Sequence, residues 1–220
     1  QRVGEAFGLC NDNFLLDELI LWARNAFVTV SMGNYPYAMD LFGKGLSAWP
    51  LKTACEWSNA SDDLEFLAKA VGSYYNATGL VACHSIRNEY RDCADQTGCG
   101  TRQSAWGRSW DIEACRQIVY TTSTNNVTDM FPVREWGPEE LSKYCKQTWN
   151  ITPEITWFQP WLSKIKNSSR IIFTNGLWDP WRSGGVLRSL SKTLVSFKIP
   201  EAGHMYDLAA SHPKDLPAVR

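Results

Sequence analysis

The sequence predicts an α/β fold in which a mostly helical first two thirds leads into a strand-helix-strand unit that closes a parallel sheet. Three observations predict it. Apolar residues recur at helical spacing from Leu15 to Val30. Two short apolar runs, Ile171 to Phe173 and Leu194 to Ile199, are joined by short links of the kind that connect parallel strands. All seven cysteines lie between Cys10 and Cys145, so the last third changes character.

After a short tail, the first helix is expected from Asn13 to Met32. Leu15, Leu16, Leu19, Ile20, Trp22, Ala23, Ala26, Phe27 and Val30 step by three and four, and Asp17 and Glu18 sit where the helix dipole favours acids. Gly33 breaks it. Residues 38–50 contain Gly and aromatics and read as a loop ending at Trp49-Pro50. A second helix is expected from Ser61, with Asp62 and Asp63 in its first turn, to Tyr75, where Asn76 and Gly79 end it. Residues 83–107 hold three cysteines and Asp95-Gln-Thr-Gly-Cys-Gly100, and read as a compact disulfide-held loop. Helices follow at 111–120 and, opened by Pro138 with Glu139 and Glu140, to Trp149. The closing unit then places a strand at 171–173, a helix at 185–192 and a strand at 194–199.

Composition excludes several functions. With 22 basic and 23 acidic residues the net charge is −1, which gives no nucleic-acid footprint and no electrostatic membrane anchor. No apolar run is long enough for a membrane span and no leader is recognised, and because residue 1 is Gln rather than Met an upstream part is expected. Five Asn-x-Ser/Thr sequons, at Asn59, Asn76, Asn126, Asn150 and Asn167, accompany the seven cysteines. Together they predict glycosylation and a lysosomal or secreted destination. The odd cysteine count calls for a partner outside the chain or a free thiol, and the outside partner is preferred.

The chemistry concentrates at the end of the chain. Asp179 follows the first apolar run, and His204 follows the second, 25 positions later. An α/β-hydrolase presents the last two members of a Ser-Asp-His triad in this order, each in the loop after its own strand. The nucleophile is missing: no Gly-x-Ser-x-Gly occurs in these residues, and Ser47 in Gly45-Leu-Ser-Ala-Trp49 lacks the closing Gly. His84, His204 and His212 lack metal-ligand spacing, so no metal is expected, and no phosphate-binding Gly loop calls for a cofactor. A Cys nucleophile is disfavoured in an oxidising context.

At this point the residues resemble a known family. Asn175-Gly-Leu-Trp-Asp179-Pro-Trp-Arg-Ser-Gly-Gly185 and Gly203-His204 with Asp207-Leu208 look like the C-terminal signature of the prolylcarboxypeptidase-like serine peptidases. Trp22-Ala-Arg-Asn-Ala-Phe27, Tyr35-Pro-Tyr37, Ala94-Asp95 through Cys99-Gly-Thr101, Trp110-Asp111, Ala114-Cys115 and Asn125 through Pro132 resemble the dipeptidyl peptidase II type within it. The resemblance implies the C-terminal portion of an α/β-hydrolase fold preceded by a mostly helical, disulfide-bonded cap, with 1–155 as cap and 156–220 as hydrolase segment. It implies that Asp179 and His204 are catalytic, that Asp95 holds the free α-amine of the substrate, and that the nucleophilic Ser and its oxyanion hole belong to an N-terminal part not in this chain. Trp181 could wall a small pocket for Pro or Ala. Met205 stands where the family usually has a second His, Ala209 where Arg is common, Asn34 where Asp is frequent, and Leu177-Trp178 where a smaller pair is usual.

The resemblance also implies disulfides Cys10–Cys83, Cys93–Cys99 and Cys115–Cys145, leaving Cys55 for the N-terminal chain of the same precursor. The expected activity is release of N-terminal X-Pro or X-Ala dipeptides at acidic pH from peptides with a penultimate Pro or Ala, and a homodimer is compatible with it. The alternatives are a prolylcarboxypeptidase-like C-terminal exopeptidase and a non-catalytic relative of the fold.

Overall fold

A computed structural model describes all residues except 1, 11–12, 61, 91, 97–98, 100–104 and 120. In chain order it contains α1 (Arg2–Ala6), α2 (Leu16–Met32), β1 (Met39–Leu41), β2 (Lys44–Leu46), α3 (Pro50–Glu56), α4 (Asp63–Tyr75), α5 (Ile86–Glu89), α6 (Ala105–Arg116), α7 (Pro138–Trp149), α8 (Gln159–Ile165), β3 (Ile171–Gly176) and β4 (Leu194–Ile199). These form two compact units, one of residues 1–13, 26–84 and 166–220, the other of residues 14–25 and 85–165. The α2 helix gives its first part to the second unit and its last part to the first.

In the first unit the end of α2 buries Ala26, Val30 and Met32. The stretch expected as loop at 38–50 instead forms an antiparallel hairpin, β1 on β2, and then starts α3. Its two-residue turn has Phe42 and Gly43 both at positive φ, the geometry that suits strand twist, and the Asp40 carboxylate accepts the Gly43 N–H at 2.9 Å. Pro50 opens α3 in the first turn, where its missing N–H costs nothing. Asp62 caps α4 by accepting the Glu65 N–H at 2.8 Å; Ser61, the expected start, lies outside the described residues. Cys10 is bonded to Cys83, and main-chain bonds between Cys10 and His84 and between His84 and Gly8, each 2.8 Å, run beside it.

The strands β3 and β4 pair in parallel, Ile171 opposite Leu194 through Gly176 opposite Ile199. The helix expected at 185–192 is not formed. A single 3-10 turn, Arg182–Gly184, is followed by irregular chain whose backbone is tied to side chains. The Val186 carbonyl accepts from Asn175 Nδ2 at 3.0 Å and from Ser196 Oγ at 2.6 Å, and Ser189 Oγ accepts the Ser196 N–H at 3.0 Å. Paired glycines and serines in this segment disfavour a helix that would have to give up those bonds.

The second unit is built on α6 and α7, joined by the Cys115–Cys145 disulfide around Ala94, Ala114, Trp136 and Leu141. Helix α6 starts at Ala105 rather than at Asp111 and ends at Arg116; Tyr120, its expected end, lies outside the described residues. The added turn lets Trp106 stack on Trp110 at 6.1 Å. Helix α7 begins as expected at Pro138, with Glu140 accepting the Gly137 N–H at 2.9 Å, and ends at Asn150 in the left-handed region. Within the segment 83–107, expected to hold no regular element, α5 forms one turn and Cys93 is bonded to Cys99. The short helices α1 and α8 fall in stretches for which the sequence suggested no element. Asn59, Asn126, Asn150 and Asn167 are exposed, whereas Asn76 is half-buried and its side-chain oxygen accepts the Val81 N–H.

Candidate active site

The first unit brings Asp179 and His204 together. Beyond the end of β3 the chain stays in contact with the end of β4, because the Leu177 and Trp178 N–H groups donate to the carbonyls of Ile199 and Ala202, each at 3.0 Å. Asp179 follows, with its own N–H donating to Gly176. Only glycine fits at 176, since a Cβ there would collide with the carbonyls of Ala202 and Gly203. This close approach sets the Asp loop against the His loop.

One Asp179 oxygen, Oδ1, accepts the Trp181 N–H at 2.8 Å, and the other, Oδ2, meets His204 Nδ1 at 2.9 Å. With Nδ1 so engaged, His204 keeps Nε2 for proton exchange with a reacting group. His204 is itself held at both backbone groups. Its N–H donates to the Met32 carbonyl, left over at the end of α2, at 2.9 Å, and its own carbonyl accepts the buried Tyr35 hydroxyl at 2.5 Å. Burial raises the Tyr35 pKa, with help from Tyr37, Tyr206 and Asp179, so the hydroxyl stays a donor. A Cβ at Gly203 would stand 2.6 Å from the Met32 carbonyl, so this position too needs glycine. Met205, next in the chain, is in the left-handed region at φ 52°, a strained setting for a non-glycine residue.

Trp181 donates to the Met32 sulfur at 3.3 Å, and its ring centre lies 6.1 Å from that of His204. Asp179, His204 and Trp181 therefore share one site. Tyr35, Met32, Gly176 and Gly203 belong to it and were not singled out as functional from sequence; the Tyr35-Pro-Tyr37 motif was visible, but its 169-residue separation from His204 hid the contact.

Asp95 belongs to the second unit. Inside the Cys93–Cys99 loop it is 1 % exposed, and its Oδ2 accepts the Trp110 indole N–H at 2.8 Å. Cys93, Cys99 and Asp111 come close enough to suggest a metal site, but both sulfurs are spent in the disulfide. Cys55 is exposed, has no disulfide mate among the described residues, and edges a cavity of about 610 Å³ with Trp49, Leu51 and Trp178.

Human lysosomal Pro-X carboxypeptidase is 34 % identical over 202 residues, covering 88 % of this chain and 38 % of that protein. The mouse protein of the same name is 35 % identical over 205 residues, covering 90 % and 39 %. Prolyl carboxy peptidase like protein 5 of Caenorhabditis elegans is 27 % identical over 218 residues, covering 90 % and 41 %. The chain thus spans about two fifths of the length of these relatives. A family description, serine carboxypeptidase S28, matches residues 2–220. With the match running through the post-strand Asp, the His bonded to it and all three disulfides, the chain belongs to the serine carboxypeptidase S28 family of prolylcarboxypeptidase-like serine peptidases.

Proposed function

We propose that this chain supplies the Asp and His of a Ser-Asp-His triad in a serine exopeptidase that releases N-terminal X-Pro or X-Ala dipeptides at acidic pH. The observation that carries the reading is the 2.9 Å contact between Asp179 Oδ2 and His204 Nδ1. His204 Nε2 takes the proton of the attacking Ser and returns it to the leaving amine, while Asp179 stabilises the imidazolium formed in between. The Ser and the oxyanion-hole amides come from the rest of the protein. The bare parallel pair supports this, since Ile172 at 68 % and Phe197 at 54 % exposure lie on strands of a kind normally covered on both faces. By role, residues 1–155 act as the cap and 156–220 as the hydrolase segment, although compactness groups residues 1–13 and 26–84 with the latter and residues 156–165 with the former. Trp181 walls the pocket for Pro or Ala.

Asp95 is the counter-charge for the substrate amine in this reading. Its disulfide-closed loop and its bond to Trp110 fix where that charge sits, which would set the cut two residues from the amine. The names of the relatives favour a second reading, removal of a C-terminal residue after Pro. Acetylating the substrate amine separates them. With the full-length protein we expect acetylation to lower kcat/KM on an X-Pro substrate by about 100-fold or more, the cost of leaving a buried carboxylate without its cation. Undiminished cleavage of blocked peptides, with release of the residue after Pro, would leave the carboxypeptidase reading.

The partner chain is tied through Cys55, which has no mate among the described residues and borders an apolar hollow. Peptide mapping of the full-length protein without reduction is expected to recover the Cys55 peptide joined to a peptide from outside these residues; recovery as a free thiol would rule the link out. The disulfides, the sequons and relatives named lysosomal support a lysosomal or secreted location. No helix among the described residues is long and apolar enough to cross a membrane.

A further inference from the structure

Asn76 stands apart from the other sequons. Asn59, Asn126, Asn150 and Asn167 are exposed, whereas Asn76, at the C-terminal cap of α4, is half-buried and lines a cavity of about 630 Å³ within the first unit. Its Oδ1 accepts the Val81 N–H at 3.0 Å, which fixes the carboxamide. Its Nδ2, the atom to which an N-linked sugar is joined, has no acceptor among the described residues.

From Asn76 the cavity runs back along one face of α4, past Ser73 and Gly72 to Lys69, which lies over the Trp57 ring at 4.5 Å. These α4 residues precede Asn76 by three, four and seven positions, so they share one side of the helix over a length of about 10 Å. Gly72 points the same way. A glycine inside a helix weakens it relative to Ala, and a Cβ at 72 would meet nothing within 4 Å, so packing among the described residues does not call for one. What the glycine does is keep the floor of the trough low. Ser73 Oγ donates to the Ala70 carbonyl at 2.6 Å, which leaves its lone pairs for a hydroxyl-bearing ligand. Trp57, 41 % exposed, adds apolar surface at the far end.

We propose that this trough seats the two N-acetylglucosamine residues at the root of a glycan on Asn76, with Gly72 leaving the room and Trp57 packing against the second sugar. The assignment rests on the lysosomal or secreted location supported above. In that route the bond from sugar C1 to Nδ2 forms as C1 leaves the lipid-linked pyrophosphate of the donor oligosaccharide, and Nδ2 gives up one of its two protons. Oδ1 keeps its bond to Val81 throughout. Tethering presents the sugars to the trough at roughly millimolar effective concentration, so weak intrinsic affinity is enough to seat them.

The test uses the full-length protein secreted from cultured animal cells and treated, still folded, with a peptide N-glycosidase. Each cut leaves an Asp, so peptide mass spectrometry follows release at every sequon. A seated sugar must leave the trough before it is cut, and release at Asn76 is expected to be at least about 10-fold slower than at exposed Asn126 and Asn167. Gly72→Met fills the trough and Trp57→Ala removes its end wall, both without touching the sequon. Each should bring release at Asn76 to within about threefold of the exposed sites, and Trp57→Ala, a change at a partly exposed residue, decides where Gly72→Met does not fold. Sugar on Asn126 and Asn167 with Asn76 unmodified overturns the proposal, as does equal release at all sites. Slow release that the folded variants leave unchanged overturns it too, because the shield is then another part of the protein. Sugar at none of the sequons removes the lysosomal or secreted reading itself, and this proposal with it.

Discussion

Asp179→Asn in the full-length protein lowers kcat by about 10³- to 10⁴-fold and leaves KM within about threefold, because the interaction lost is made with the imidazolium of the transition state. The geometry makes this substitution more decisive than the change of one atom suggests. Asp179 has two oxygens with separate duties, Oδ1 for the Trp181 N–H and Oδ2 for His204 Nδ1. An Asn here must keep its oxygen on the Trp181 N–H, since the amide nitrogen would put two donors face to face. Its NH2 group then points at Nδ1 and makes that nitrogen the acceptor. The ring proton moves to Nε2, and His204 can no longer receive the proton of the Ser. Nitrogen-15 NMR of the imidazole would show the tautomer change beside the kinetics. His204→Ala should reach a similar floor, and the double variant should be no slower than His204→Ala alone, since the pair acts as a unit. A kcat within tenfold of the unsubstituted value would show that Asp179 only shapes its turn.

How much of this was legible in the sequence follows the range of each signal. Asp179 and His204 were readable because order and strand context are local, and α7 because Pro138, Glu139 and Glu140 announce its start. The hairpin of β1 and β2 was not, because its turn puts Phe42 at positive φ where an Asn would have signalled it, and Gly43 with the Asp40 carboxylate compensates. The helix expected at 185–192 failed because the acceptor that holds the segment, the Val186 carbonyl, is bonded by Asn175 and Ser196 on the two strands. The hydroxyl of Tyr35 on the His204 carbonyl and the contact of Gly176 with Gly203 are long-range consequences of the fold. Arg24 entered only through the Trp22 to Phe27 resemblance, and only tertiary packing shows it to be buried.

The other large effect falls on stability and begins at Asp111, which the sequence marked only through the Trp110-Asp111 resemblance. Asp111 is 0 % exposed on α6. Its Oδ1 accepts the Ala94 N–H at 2.7 Å, and its Oδ2 accepts both the Tyr144 hydroxyl and the Trp149 indole N–H at 2.8 Å. Three donors from the Cys93–Cys99 loop and from α7 thus converge on one carboxylate, which supplies enough acceptor capacity for all of them. Asp111→Ala strands the Ala94 N–H and the Trp149 indole N–H at about 1–3 kcal/mol each, whereas the Tyr144 hydroxyl can turn to the Asp92 carbonyl at 3.0 Å, so a total of about 2–5 kcal/mol is expected. Asp111→Asn should cost less, but not little. Tyr144 can rotate its proton away from an introduced NH2, whereas the indole N–H of Trp149 and the amide of Ala94 cannot, so either orientation of the Asn leaves one pair of donors opposed. Denaturant unfolding followed by tryptophan fluorescence, with Trp136 and Trp149 in this unit, measures the loss, and a shift below about 1 kcal/mol for Ala would mean that water replaces the carboxylate. Because Ala94 precedes Asp95 in the chain, freeing its N–H also loosens the residue proposed to hold the substrate amine. Asp111→Asn should therefore raise KM on free-amine substrates even at temperatures where the variant remains folded, while the Asp179–His204 pair, in the other compact unit, keeps its hydrogen bond.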